Sequence, residues 1–444
     1  MTQQQWFKPD LRHKGNQRIA YINARLIDPA TGLDQTGDLI TEGNVITDFG
    51  SSLIGDTKPD NIQIIDCGGH ILCPGLIDLQ VHFREPGQEH KETIKSGSKS
   101  AAAGGLTSVV CMPNTKPAID DPAIVDFIHT RAKETSYINI HVYGSITRGQ
   151  KGTDLSEMGL LKDAGVVGFT DDGHPVMNAQ VMRRALEYSS ILDLPVAQHA
   201  EDMSLAAGGC MNEGKTATRL GLRGIPNIAE SIMIERDIAL LELTGGHYHA
   251  LHISAKESVE VIRRAKEKGL NVTCEVTPHH LSLTEEDIGQ YRTFAKMNPP
   301  LRTETDVDAL KEGLKDGTID AIATDHAPHD RESKRVTMDA AAFGIVGVET
   351  MLPLLLELVH NGTLTLSQAL AKVTCNAADI IRQPSGRLVK GARADLTLID
   401  PNMNWTIDTD QFSSKSHNSP FDGRHVKGRA IRTIVAGQTV YKLG

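Results

Sequence analysis

The feature that most constrains this chain lies in its middle, where short apolar or β-branched runs alternate with longer stretches of helical composition. That repetition is the signature of βα units and calls for a parallel sheet with crossover helices. Eight such runs stand at about Leu76–Val81, Thr107–Met112, Ile138–Tyr143, Val166–Asp171, Pro195–His199, Tyr248–Ser254, Val272–Val276 and Ile319–Thr324. Between them Thr93–Ala103, Ile228–Leu243 and Ser258–Lys268 read as helices. Eight units in about 310 residues predict one (β/α)8 TIM barrel. A doubly wound open sheet is the rival, but no G-x-G-x-x-G stands at a first strand-to-helix turn.

The two ends of the chain differ from the middle. Ile19–Ala24 and Gly43–Phe49 near the start, and Ala394–Asp400 and Arg432–Tyr441 near the end, are strand-like runs set off by Gly, Asp and Pro. They predict a small β-sandwich built from both termini. The expected organisation is therefore α/β: residues 1–72 and 384–444 form the two parts of the sandwich, and residues 73–383 form the barrel. At 444 residues the chain can bury one large core and a smaller one.

Composition narrows the partners. A net charge of -10 argues against nucleic acid, because phosphate backbones are bound by clustered Lys and Arg that release counterions. An acidic small molecule stays open, since one local Arg can hold a carboxylate whatever the global balance. The six cysteines (Cys67, Cys73, Cys111, Cys210, Cys274 and Cys375) form no C-x-x-C pair, so they read as small apolar residues in a reducing compartment. Met1–Trp6 lacks the basic-then-apolar run of a signal peptide, and no stretch approaches the roughly 18 apolar residues of a membrane span. The expectation is a cytoplasmic protein with a small-molecule substrate, no membrane and no nucleic acid.

Chemistry-bearing residues recur where the predicted strands end, the rim on which a barrel carries its site. The ends read Asp78-Leu79-Gln80-Val81-His82-Phe83-Arg84, Thr170-Asp171-Asp172-Gly173, Gln198-His199-Ala200-Glu201, Leu251-His252-Ile253-Ser254 and Thr324-Asp325-His326-Ala327-Pro328-His329. Imidazoles and carboxylates converging on one rim can hold Zn²⁺, which takes nitrogen and oxygen ligands and keeps a position open. Each piece alone has a bland reading. His252 could be a hydrogen-bonded structural histidine, Asp171-Asp172-Gly173 a turn, and Asp325 a helix cap. All five of His82, Asp172, His199, His252 and Asp325 would have to be bland while each ends a different strand, and that coincidence favours a metal site.

Asp78–Gly87 (DLQVHFREPG) and Met112-Pro113-Asn114-Thr115 resemble the signature of the class I bacterial dihydroorotases, in the amidohydrolase superfamily. The likeness continues through Thr277-Pro278-His279-His280-Leu281, Asn298-Pro299-Pro300-Leu301-Arg302, Ala323–His329 and Gly391–Leu396, and so spans nearly the whole chain. It implies reversible hydrolysis of L-dihydroorotate to N-carbamoyl-L-aspartate in pyrimidine synthesis, with one or two Zn²⁺ ions. By that likeness His82, Asp172, His199, His252 and Asp325 are ligands, with Asp172 bridging, since no Lys stands at the end of strand four. Asp171 and Asp172 point to opposite faces of an extended strand, so only one can reach the metal. Asp172 has the spacing to His199 that agrees with the family pattern.

Gln80 departs from the family, which carries His-x-His at the end of strand one. An amide oxygen is a weaker zinc ligand than an imidazole, so a metal held by Gln80 and His82 is expected to bind less tightly or be absent. Asp325 is expected to take a proton from water and deliver it to the departing ring nitrogen. Arg84, two residues beyond His82 and so on its side of the strand, offers a bidentate fork to the substrate carboxylate. The resemblance adds Asn114 and His329 beside His82 and Arg84, and Asn298 with the backbone of Phe343-Gly344 at the ring amides. Asp330–Phe343 reads equally as a lid and as a plain surface loop. A homo-oligomer is expected, with aspartate transcarbamoylase a candidate partner. The alternatives are another cyclic amidase (an allantoinase or dihydropyrimidinase) or a non-catalytic subunit that supports the transcarbamoylase.

Overall fold

The computed structural model describes residues 4–9, 17–54 and 61–444. Met1–Gln3, part of the N-terminal stretch read above, lie outside the described residues. Parallel strands form the centre. Leu76–Val81, Leu106–Cys111 and Asn139–Val142 make one ladder, and Val196–Gln198, Tyr248–Ala250, Val272–Val276 and Ala321–Ile322 make another. Phe169 joins them by bridging Gly144 on one side and Val196 on the other, and Val81 closes the ring against His326. The eight positions thus complete a (β/α)8 barrel.

Each strand position is followed by a helix on the outside: Ile94–Ala103, Pro122–Thr135, Met158–Asp163, Ala179–Leu192, Ile228–Thr244, Lys256–Glu267, Glu304–Asp316 and Met351–His360. Local chemistry starts and stops them. Thr93 caps the first through a reciprocal box with Ser96, and Gly245, in the left-handed region at φ 71°, ends the Ile228–Thr244 helix. The barrel interior is filled by Ile77, Leu79, Val110, Tyr143, Leu251 and Ala321, so the barrel is a packed core rather than a pore.

Five expected strands are shorter than their runs: Ile138–Tyr143 and Pro195–His199 lose one residue at each end, and three others lose more. Val166–Asp171 reduces to bridges at Phe169, Tyr248–Ser254 ends at Ala250, and Ile319–Thr324 keeps only Ala321–Ile322. The physical reason is visible at the strand ends, where His252 (φ 31°) and Asp325 (φ 48°) take left-handed backbone that no ladder accommodates.

The small β-sandwich is joined edge to edge into one nine-stranded sheet among the described residues. Its two chain ends meet where Ile71–Pro74 pairs antiparallel with Leu396–Ile399. Tyr21, Leu39, Ile46, Leu72, Leu396 and Ile434 form its core. Between Leu396–Thr406 and His425–Val435 the chain leaves the sheet for the barrel rim, where Ser414 bonds Glu92 and Ser416 donates to Lys91 O at 2.8 Å. No described helix is long and apolar enough to cross a membrane.

Candidate metal centre

At the C-terminal rim of the barrel the strand ends gather two groups of potential ligands. Asp172, His199 and His252 form one, and His82, Asp172 and Asp325 the other, each with its ligand atoms within 4.8 Å of one another. Asp172 belongs to both and divides its oxygens between them. Its Oδ1 lies 3.4 Å from His199 Nδ1 and 3.4 Å from His252 Nε2, while its Oδ2 lies 3.4 Å from His82 Nε2. The neighbouring Asp171 turns away and accepts from Thr147 N at 3.0 Å. Burial pushes the Asp171 carboxyl up to about 6. Burial also raises the Asp172 carboxyl, but the hydrogen bonds from His199 and His252 outweigh it and hold the group well below the usual carboxylate range.

The partners of these side chains orient them as ligands. His82 Nε2 sits 3.0 Å from Asp325 Oδ1, and its Nδ1 lies 2.9 Å from Asn114 Oδ1. His199 turns Nδ1 toward His252 Nε2 at 2.9 Å and Nε2 toward Glu201 Oε2 at 3.6 Å, a carboxylate behind the imidazole. Two donor groups stay unpaired and buried here. His252 Nδ1 has no partner, and Gln80, fully buried in the first strand, satisfies neither its amide nitrogen nor its amide oxygen. A buried amide with both ends unmet costs free energy unless something else meets it. The donor set of imidazoles, carboxylates and one orphaned amide therefore fits a metal ion. Neither group identifies the element.

His82, Arg84, Asn114, Asp172, His199, His252, Asn298, Asp325, His329, Phe343 and Gly344 line one cavity of about 230 Å³. Gln80 is not in that lining. Arg84 reaches the cavity by a different route from the one its spacing predicts. The strand ends at Val81 and Arg84 sits in left-handed backbone at φ 61°, so the alternation that relates Gln80 to His82 does not extend to it. Its Nε donates to Pro328 O at 3.3 Å, and among the described residues no carboxylate forms an ion pair with its guanidinium. Burial pulls the group down to about 10 against the opposing pull of Asp325 and Asp172.

The remaining expected residues are already engaged. Asn298 Nδ2 donates to Glu201 Oε2 at 3.1 Å, leaving Oδ1 unpaired. His329 Nε2 lies 2.7 Å from Phe343 O, and its Nδ1 is buried without a partner; desolvation lowers the ring's pKa to about 2. Gly344 N donates to Lys296 O at 3.0 Å. Only glycine fits there, because φ is +110° and a Cβ would fall 2.5 Å from the Ala327 methyl. Half of the residues from Asp330 to Phe343 are exposed, and the segment is anchored by Lys334, whose ammonium donates to Lys296 O at 3.1 Å and Ala342 O at 2.6 Å.

Two contributors escaped the sequence reading. Glu201 was legible beside His199, yet nothing marked it as the carboxylate behind the ring. Asn418, far away in the C-terminal segment, accepts from His329 N at 3.1 Å and donates to Ala327 O at 3.0 Å and Gly344 O at 3.1 Å. No local signal could have placed it at the barrel rim.

Comparison with known proteins adds independent findings. A family model described as dihydro-orotase-like matches residues 69–258, and one described as the amidohydrolase family matches residues 247–441. The chain is 58% identical over 440 residues to a dihydroorotase of Wolbachia sp. subsp. Brugia malayi, covering 99% of each chain. It is 55% identical to that of Ehrlichia chaffeensis, covering 100% of this chain and 99% of the relative. With the dihydroorotase of Pelobacter propionicus it shares 50% identity, over 95% of this chain and 98% of the relative. Among solved structures it resembles an L-hydantoinase (dihydropyrimidinase) from Arthrobacter aurescens, with a TM-score of 0.86 at 25% identity and 96% of both chains covered. A dihydropyrimidinase from Brevibacillus agri gives 0.83 at 23% identity, over 96% of this chain and 95% of that one, a likeness of fold.

Proposed function

The chain belongs to the dihydroorotase family, and from that premise we propose that its rim cavity hydrolyses L-dihydroorotate reversibly to N-carbamoyl-L-aspartate. The observation that carries the reading is the pairing, in one cavity, of two ligand groups sharing Asp172 with a guanidinium that makes no ion pair among the described residues. A cyclic amide that bears a carboxylate needs both. The retained ligands also weigh against a non-catalytic subunit supporting aspartate transcarbamoylase, and identities of 50–58% over nearly the whole chain do not favour an allantoinase or dihydropyrimidinase.

We assign zinc, one ion or two, to His82, Asp172, His199, His252 and Asp325, with Gln80 a weak contributor, because nitrogen and carboxylate donors suit that ion. When bound it makes water more acidic and polarises a carbonyl oxygen. The rest falls to the protein. Arg84, free of an acidic partner, holds the substrate carboxylate with a planar fork, and Asn114 and His329 border it. Asn298 Oδ1, unpaired, accepts from a ring N–H. Asp325 has Oδ1 committed to His82 and Oδ2 uncommitted. Oδ2 takes the proton of the attacking water as the oxygen adds to the ring carbonyl, then returns it to the ring nitrogen as the C–N bond breaks. The reverse reaction runs through the same proton position.

The six cysteines, all buried and unpaired, support a cytoplasmic setting. The decisive experiment assays zinc-reconstituted protein on L-dihydroorotate, allantoin and hydantoin in parallel. Turnover of dihydroorotate well above the others is the expected result. A faster rate on hydantoin, or no turnover at full metal loading, would overturn the assignment.

A further inference from the structure

The opposite face of the barrel carries a second cavity, of about 880 Å³, where strands begin rather than end. Ser108 and Asn139 pair near the starts of the second and third strands and line it. Four basic side chains from three elements converge there. His129 and Lys133 lie one turn apart on the Pro122–Thr135 helix, His141 is in the third strand, and Arg393 precedes the Leu396–Thr406 strand.

These groups have little to neutralise them. Asp395 is the one acid in the lining, and its oxygens are shared among Arg393 Nε at 3.3 Å, Asn139 Nδ2 at 2.9 Å and Ala436 N at 2.6 Å. Asp126, one turn before His129, acts on it weakly from the exposed side of the helix. Among the described residues the side chains of His129, His141 and Lys133 have no hydrogen bond or ion pair, and the terminal nitrogens of Arg393 have none. Burial, and then His129 and Arg393, lower His141 to about 4, and burial lowers His129 as well, so at neutral pH both imidazoles are uncharged N–H groups and Lys133 and Arg393 supply the charge. In a chain of net charge -10, a lysine and an arginine sharing one cavity with a single acid stand apart from the overall composition.

We propose that this cavity binds a phosphorylated small molecule of about nucleotide size, separately from the catalytic rim. A phosphate offers three oxygens, enough for the Arg393 fork, the Lys133 ammonium and an imidazole N–H together, where a carboxylate offers two. Ala132, Ile138, Ile140 and Pro384 supply apolar wall for the rest of the ligand. The volume falls within the range of about 300–1,000 Å³ usual for small-molecule sites.

Calorimetry of the metal-loaded protein with adenosine 5′-monophosphate, inorganic phosphate and succinate tests this. Expected are saturable nucleotide binding at one site per chain, weaker inorganic phosphate, and succinate at least tenfold weaker than phosphate. Lys133→Ala, which breaks no ion pair among the described residues, should keep the wild-type melting temperature and dihydroorotate turnover while nucleotide affinity falls several-fold; the double variant Lys133→Ala/Arg393→Ala, which also removes the ion-pair partner of Asp395, should keep wild-type turnover while nucleotide affinity falls at least tenfold. Arg84→Lys should leave nucleotide affinity unchanged, which separates this site from the catalytic one. No saturable nucleotide binding at millimolar concentration, affinity unaffected by the double variant, or succinate as tight as phosphate would each overturn the proposal.

Discussion

The two sides of Asp172 solve the same problem with different materials. On one side stand two imidazoles, His199 and His252, with ring centres 4.7 Å apart, rings 82° to one another and a 2.9 Å contact between nitrogens. On the other stand one imidazole, His82, and the carboxylate of Asp325, above a first strand whose Gln80 meets no partner. The first side is held in place by Glu201 and Asn298 from behind, whereas the second leans on Asn114 and on Asp325 itself. A ligand group whose rings are fixed by outer partners keeps its geometry through turnover. A group that includes the proton carrier must give one member up to the chemistry, so affinity and catalysis compete there.

The hardest test of that contrast is Asp325→Ala, which removes the proposed proton carrier from the second side and leaves the first intact. Turnover should fall by about 10²–10⁴-fold, the usual contribution of a positioned acid–base group. The fold should survive, because Asp325 lies beyond the end of its strand and its side chain bonds only His82 among the described residues. Melting temperature and steady-state kinetics check both. A variant that retained more than a tenth of wild-type activity would remove Asp325 from the mechanism.

Glu201→Gln attacks the first side from behind. Its carboxylate faces His199 Nε2, and losing such a partner weakens metal binding by about 10–100-fold. Chelator competition reads the change. If affinity were untouched, the outer support of His199 would not be what distinguishes the two sides.

Arg84→Lys calibrates both results, since the role proposed for Arg84 is to hold substrate and not metal. Keeping the charge but losing the fork should lower kcat/KM by about tenfold or more, given that charged hydrogen bonds contribute about 1.5–3 kcal/mol. Metal content should stay at the wild-type value. Unchanged kinetics on dihydroorotate would exclude Arg84 from carboxylate binding, and a loss of metal would mean that it supports the ligands instead.

The same rim shows why some of the molecule was legible and some was not. Val272–Val276 matches its apolar run at both ends because nothing functional interrupts it. The run Tyr248–Ser254 overestimates its strand because His252 leaves the ladder in left-handed backbone, and the run Ile319–Thr324 stops at Ile322, ahead of Asp325, which is left-handed too. Local pattern fails where the backbone serves a site. Arg84 was placed in the right cavity by an alternation that the backbone does not follow. Asn418 was invisible for another reason: its role arises from a segment that leaves the β-sandwich and returns to the rim, and pairing at such separation has no period in sequence.

Gln80→His is expected to give the smallest effect and the most direct reading of the asymmetry. The register of the first strand shifts between Asp78 and Val81; His82, just past its end, lines the cavity, and Gln80 is buried two residues before it. The amide of Gln80 is buried with both ends unpaired, which leaves its oxygen free to approach a metal but only as a weak donor. Wild-type protein should therefore hold nearer one tight zinc ion than two, and added metal should raise its activity. An imidazole at the same position replaces a weak ligand by a strong one, so the second ion should resist a chelator several-fold longer in Gln80→His. The comparison between the sides sharpens if retention rises while kcat moves little, because the weak ion is then limited by affinity and not by placement. It breaks if the native protein already carries two tightly bound ions and the substitution leaves chelator resistance unchanged, since the loss of an imidazole from strand one would then cost the second side nothing.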